Sequence, residues 1–324
     1  MESAFGKLEL PIQVLREMLQ QQGNADTLQI RIGNAAKAAE DAISKALREG
    51  ASKLGASFEL SFAWKQGDTV KPITAWKGAP AKFTKSLPGS ASASSTSILR
   101  WDAAAGKLYF VPAIIRAAHA EFRFREGGIY TAAAYEKTFA DVKDHWSNED
   151  VSLLASKHVI EGLSETRFGP NEQVTRAQFT AMLVRALGLK EQAGDASFRD
   201  VGADAWYASA VATAVEHGLI EGFSSGEFRP NDRITREQMS VLLVRAMELA
   251  GTELEAVDPG SVLEGFKDRD SIAGWSEEAV SAIVHSGIMK GRGSERFAPD
   301  AESTRAEGAA VLARMLEMAG YMNR

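Results

Sequence analysis

Cysteine is missing from all 324 residues. No disulfide framework can be built, and no thiolate can hold a metal. Nor does any apolar run reach the roughly 18 residues that a membrane-crossing helix needs. Basic charge is not in excess: 37 Lys and Arg face 43 Asp and Glu, a net charge of -6. That balance argues against a nucleic-acid partner. The start, Met1-Glu2-Ser3-Ala4-Phe5, lacks the basic residues and apolar stretch of a secretory leader. The chain is thus expected to be cytosolic, or an internal or C-terminal part of something longer. The apolar share of 45% and charged share of 25% are those of an ordinary globular protein.

Residues 1–137 show no self-similarity to the rest. Lys7-Leu8-Glu9-Leu10, Thr27 to Ile32 and Phe58 to Trp64 alternate at period two and predict strands. Gln13 to Gln22 predicts a short helix, and Ala35 to Leu54, with Gly55 after it, a longer one. Gln66-Gly67-Asp68 offers a turn into Thr69 to Trp76, and Ser90 to Ser97 reads as a small-residue loop. Ile98 to Trp101 and Lys107 to Val111 predict a hairpin closed over Asp102–Gly106. Further strands are expected at Ala120 to Arg125 and Ile129 to Thr131. The expectation is a β-rich (α+β) module. It has one histidine, His119, and no catalytic constellation. Trp64, Trp76 and Trp101 suit core packing better than a sugar platform.

The remainder is a threefold repeat. Aligned on Trp146, Trp206 and Trp275, the copies place Gly162, Gly222 and Gly291 sixteen residues on. In the same register follow Phe168, Phe228 and Phe297, then Pro170, Pro230 and Pro299. Each copy then carries a box: Thr175-Arg176-Ala177-Gln178, Thr235-Arg236-Glu237-Gln238 and Thr304-Arg305-Ala306-Glu307. The pattern Thr-x-x-Gln/Glu is a capping box, so each opens a helix. Apolar residues such as Val151, Leu154 and Val159 mark an earlier helix in each unit. It ends at an equivalent position held by His158, Gly218 and Gly287. Glycine there predicts a left-handed cap, with His158 a tolerated substitute. One helix pair is too small to bury its own apolar face, so the three copies should share a core.

The Arg of each box is informative. A cation in the first helical turn is mildly unfavourable beside the positive end of the helix dipole. Its recurrence suggests a ligand: amides, dipole and guanidinium together suit a carboxylate or phosphate. Arg185, Arg245 and Arg314 lie deeper in the second helix and read as structural.

The three segments resemble S-layer homology (SLH) domains, the wall-anchoring repeats of bacterial surface proteins. The resemblance rests on the Phe139-Ala140-Asp141-Val142 and Phe198-Arg199-Asp200-Val201 openings, the Trp, Ile160-Glu161-Gly162, the Phe-x-Pro turns and the boxes. It divides the chain into a spacer at 1–137 and repeats at 138–196, 197–264 and 265–324. The spacer is itself similar to β-rich modules that precede such repeats. The implied architecture of the repeats is a mainly α pseudo-threefold prism around a central helical bundle. The implied partner is secondary cell-wall polysaccharide, read through a pyruvylated N-acetylmannosamine terminus; a peptidoglycan-linked glycan is the other candidate. The family's roles carry over to Arg176, Arg236 and Arg305 on the carboxylate, and to Trp146, Trp206 and Trp275 on the sugar. They also carry over to Asp141, Asp200 and Asp268 on hydroxyls or groove shape, and to Ser225-Gly226 and Gly293-Ser294 as close backbone contacts. The first copy departs from the pattern with Leu163-Ser164-Glu165-Thr166, where Glu165 would oppose an anion. The resemblance implies a non-enzymatic, extracellular anchor, monomeric in isolation, with no cofactor or metal. The alternatives are the anchor region of a wall-active enzyme and a self-assembling lattice protein.

Overall fold

The structure is a computed structural model. It describes all residues except Gln22, Asn24, Ala25, 77–79, Ser90, 192–193, 195–197 and Ser294. Three expected boundaries (Gln22, Ser90 and the 196/197 junction) and the site residue Ser294 therefore lie outside the described residues. The chain forms two compact units. The first comprises Met1–Lys137 with Ser156–His158 and Gly320–Arg324; the second comprises Thr138–Ala155 and Val159–Ala319.

In the first unit the strands are β1 (Glu2–Ser3), β2 (Gly6–Glu9), β3 (Thr27–Asn34), β4 (Ser52–Lys53), β5 (Phe58–Gln66) and β6 (Thr69–Ile73). They continue as β7 (Ala81–Ser86), β8 (Thr96–Asp102), β9 (Lys107–Val111), β10 (Ala113–Arg116), β11 (His119–Phe124) and β12 (Gly128–Ala134). Among the described residues the helices are α1 (Ile12–Gln20) and α2 (Lys37–Ala46). One sheet runs β1-β2-β7-β11-β10. The other runs β3-β5-β12-β8-β9, with β4 beside β12 and β6 beside β5. All these pairings are antiparallel.

Alternation decides what the sheets bury. Along β5, Phe58, Leu60, Phe62 and Trp64 are buried, and the residues between them are not. They face an aromatic core in which Phe58 stacks on Phe83 of the other sheet at 5.3 Å. Phe122 likewise meets Tyr130 at 5.2 Å. Trp64 and Trp76 belong to this core, so two of the three tryptophans considered as a platform are buried packing. The Trp64 indole N–H donates to the Met18 carbonyl at 3.0 Å, which seats α1.

The expected long helix at Ala35 to Leu54 is corrected. Helix α2 stops at Ala46, with Leu47 already extended. The chain then turns through Gly50 at φ 83° and enters β4. Composition favoured helix to Leu54, but pairing of Ser52 and Lys53 with β12 wins. Strand β7, at the centre of the first sheet, was not anticipated from the sequence. The Asn323 side-chain amide closes the exposed edge of β10. Its Oδ1 accepts from the Ile115 amide, and its Nδ2 donates to the Ile115 carbonyl, both at 2.8 Å.

The second unit repeats one design three times. The first helices are α3 (Asn148–Ser156), α5 (Ala208–Glu216) and α8 (Glu277–His285). The second helices are α4 (Arg176–Ala186), α6 (Arg236–Leu249) and α9 (Arg305–Met318); a short α7 (Pro259–Leu263) fills the longer connector. All three capping boxes form in both directions. The shared cap position is left-handed in each copy: φ 63° at His158, 68° at Gly218 and 76° at Gly287.

A closed ring of backbone hydrogen bonds joins the copies just before the boxes. Val174 N–H donates to Ser303, Ser303 N–H to Ile234, and Ile234 N–H to Val174, at 2.9, 3.0 and 3.2 Å. Each copy therefore touches both others, which is how three small units share one core. Phe179, Met182 and Leu183 of α4, Met239 and Leu243 of α6, and Leu312 and Leu316 of α9 are buried.

The repeated glycine has a packing reason. A Cβ on Gly162 would run into the Ser164 and Arg167 carbonyl oxygens and the Phe139 ring. Backbone oxygens cannot swing aside, so Gly162→Ala should cost about 1–3 kcal/mol through overpacking. A thermal melt of the variant that matches the native chain would show that the loop has slack.

Candidate functional site

The first turn of each second helix is where the sequence places an anion site. The structure corrects the premise that its amides are free. Arg176 and Ala177 N–H donate to the Asp232 and Pro230 carbonyls of the second copy. Arg236 and Glu237 N–H donate to Ala301 and Pro299 of the third, and Arg305 and Ala306 N–H to Glu172 and Pro170 of the first. Six amides that could have held a ligand instead hold the neighbouring copy's Phe-x-Pro turn.

The three arginines make the same junction with their side chains. Arg176, Arg236 and Arg305 are only 7%, 4% and 6% exposed. Their Nε atoms donate to the Phe228, Phe297 and Phe168 carbonyls at 2.9, 2.8 and 2.8 Å. Each guanidinium also lies over the ring of that same phenylalanine, at 4.9, 4.8 and 4.5 Å from its centre. Arg236 and Arg305 add a second bond, to the Lys290 and Glu161 carbonyls, at 2.6 and 2.8 Å. Burial pulls the Arg236 guanidinium down to about 10 despite the opposing pull of Glu307, which leaves it charged at neutral pH. These arginines are inter-repeat staples whether or not they also meet a ligand.

The aspartates clamp the same turn from the other side. Asp141 accepts from the Phe168 and Gly169 amides at 2.8 and 2.7 Å. Asp200 accepts from Phe228 and Arg229 at 2.8 and 2.7 Å, and Asp268 from Phe297 and Ala298 at 2.9 and 2.8 Å. The second residue of each pair is left-handed: φ 75° at Gly169, 56° at Arg229 and 57° at Ala298. The bidentate carboxylate holds two copies in a conformation that L-residues rarely adopt. Only the first copy has glycine at this position, Gly169.

Burial alone would raise Asp141 and Asp268; the backbone amides outweigh it and hold both carboxyls below the usual value of 3.8. With the folded pKa depressed, this stabilisation is complete above the ordinary aspartate pKa and is lost as pH falls through the depressed one. The thermal midpoint should therefore stay level from pH 7 to 5 and drop below about pH 4. In Asp268→Asn, part of that acid drop should vanish. An identical acid profile in the variant would remove the clamp from the account.

The tryptophans differ from both groups. Trp146, Trp206 and Trp275 are 61%, 62% and 61% exposed at one repeat position. A large apolar ring kept at the surface three times over is not serving the core. Trp275 lines a cavity of about 510 Å3 whose other walls come from the first and second copies. That volume suits a small-molecule or sugar site. Its polar groups include Arg176, Gln238, Glu221 and Arg245; its apolar walls include Ile220, Phe223, Val241 and Leu242. Glu221 and Arg245 pair at 2.9 Å, while Arg176 makes no direct ion pair among the described residues and feels Asp232 and Asp200 only from farther off. The arginine of one copy and the tryptophan of another thus share a pocket.

Sequence reading did not pick out Phe223 or Gln238 as lining residues. The position of Phe223 holds Leu163 and Arg292 in the other copies, and such variation is a usable signal of groove-specific chemistry. Ser225 and Gly226 sit in the loop beyond Phe223. Gly226 is left-handed at φ 74°, and its amide donates to the Phe223 carbonyl at 2.8 Å. The Ser225 hydroxyl donates to Glu227 at 2.8 Å. Gly293 is left-handed at φ 37°. Among the described residues, no group of His, Asp or Glu is arranged to hold a metal, and no helix is long and apolar enough to cross a membrane.

Residues 138–180, 197–240 and 265–309 match the S-layer homology domain family. The chain carries three tandem S-layer homology domains behind a β-sheet-rich region. Similar proteins include an amylopullulanase of Thermoanaerobacterium thermosulfurigenes, 40% identical over 59% of this chain. The surface-layer 125 kDa protein of Lysinibacillus sphaericus is 35% identical over 53%, and the S-layer protein sap of Bacillus anthracis 32% identical over 58%. These matches span only 10%, 14% and 22% of the relatives' own lengths.

Proposed function

We propose that this chain fixes a surface protein noncovalently to the bacterial cell wall, outside the cell, by binding secondary cell-wall polysaccharide in grooves between its repeats. The second helices would form the central bundle of a pseudo-threefold prism, and the grooves would run between adjacent copies. The recognised unit is a sugar bearing a carboxylate, with pyruvylated N-acetylmannosamine as the specific candidate. The observation that carries this reading is the cavity where Arg176, which makes no direct ion pair among the described residues, shares a wall with the exposed Trp275. An indole face suits a sugar ring, and a guanidinium suits a carboxylate. The β-sandwich unit serves as a spacer with no catalytic part in anchoring.

The test is co-sedimentation of the full chain with purified walls before and after their secondary polysaccharide is stripped. Binding to intact walls that disappears on stripping, and weakens as salt rises, is the expected result. Equal binding to stripped walls would move the partner to peptidoglycan. Concentration-dependent growth of particles in light scattering without any wall would favour a lattice protein.

A further inference from the structure

Three positions that line the cavity beside Arg176 change charge in the next copy. Glu221, Phe223 and Gln238 are replaced there by Lys290, Arg292 and Glu307. The last substitution brings a carboxylate to the staple. Arg292 grips Glu307 with both arms, Nε to Oε1 at 2.9 Å and Nη2 to Oε2 at 2.6 Å. Arg236 lies 3.9 Å from the same Oε1. Arg292 Nη2 also reaches the Glu302 carbonyl at 3.1 Å, and Glu307 Oε2 accepts from the Thr304 amide at 2.8 Å. In the first copy's groove, the counterpart of this carboxylate is the neutral Gln238, whose Oε1 lies 3.5 Å from Arg176.

We infer that the groove at Arg236 is self-ligated: the Glu307 carboxylate occupies the place that a ligand's carboxylate takes beside Arg176, so the native groove is a latent site. This rests on the carboxylate-reading groove proposed above and adds which groove takes the anion. Burial would raise the Glu307 carboxyl, but the Arg292 bonds and the Thr304 amide hold it below its ordinary value, so it is ionised at neutral pH. An incoming carboxylate must displace a bidentate ion pair to reach Arg236, whereas at Arg176 the counterpart is a neutral amide in a long contact, with Asp232 and Asp200 acting only from farther off. Once Glu307 is neutral, the same groove offers Arg236, Arg292 and Lys290 together. It then becomes the stronger and more salt-sensitive of the two. Lys290 is exposed and steers an anion without closing the site.

The clean variant is Glu307→Gln. Glutamine is what the other two boxes use at that position, and both form complete caps, so the fold should survive. The probe is a pyruvylated N-acetylmannosamine glycan, titrated by calorimetry into the full native chain, Glu307→Gln, Trp275→Ala and Arg292→Phe. The expected result is native binding that depends on Trp275 and is unmoved by Arg292→Phe. Glu307→Gln should add one site per chain, with a steeper salt dependence than the first. Failure of Glu307→Gln to add a site would overturn the inference. So would native binding lost in Arg292→Phe and kept in Trp275→Ala. If Glu307→Gln binds while the native chain does not, the latent site stands and the reading of the Arg176 groove falls. If neither binds, both fall.

Discussion

Arg236→Met should lower the thermal midpoint of the second unit by roughly 6–12 °C, the largest effect expected of any single change in the repeats. The substitution keeps chain length and apolar bulk but leaves two carbonyls without their donor, the buried one of Phe297 and the part-buried one of Lys290. Hydrogen bonds to a charged group are each worth about 1.5–3 kcal/mol, so a loss near 3 kcal/mol is expected even with partial relaxation. The stacking over Phe297 goes as well. Arg236→Lys restores charge but neither the fork nor the plane, and should recover less than half of the loss. Differential scanning calorimetry of the three chains decides the matter. A methionine variant that melts with the native protein would mean that the arginine is held by its surroundings rather than holding them.

The opposite profile is expected at the surface. Trp275→Ala should leave the melt unchanged, because the ring is 61% exposed. It should weaken glycan binding by roughly 30-fold or more, the range of an aromatic hot spot at about 2 kcal/mol. Arginine and tryptophan thus separate the two jobs of the repeat, cohesion and recognition. A Trp275→Ala chain that binds normally would move recognition away from the cavity, and one that unfolds would make the ring structural.

The same contrast explains what could be read from the sequence. The capping boxes, the left-handed cap at His158 and the hairpin of β8 and β9 were legible because each depends on residues close together in the chain. The repeat itself was legible because the spacing from Trp to Gly to Phe to Thr never slips. What the arginines touch was not legible. Their partners lie in another copy, 52 residues away for Arg176 and 137 for Arg305, and no local rule says which carbonyl a first-turn guanidinium will meet. The first-turn amides would be free in an isolated helix; in the fold the neighbouring turn supplies carbonyls to them. The end of α2 at Ala46 was missed for a related reason: pairing of Ser52 and Lys53 with β12 overrides helical composition. The charge change from Gln238 to Glu307 was visible in the sequence from the start. Its meaning needed Arg292 and Arg236 in space.

The most direct measurement is calorimetric titration of the full chain with a pyruvylated N-acetylmannosamine glycan and with the same glycan lacking its pyruvyl group. The account predicts binding of the pyruvylated form alone, weakening as salt rises. Equal affinity for both forms would contradict it, because the groove would then be reading the sugar ring and not the carboxylate.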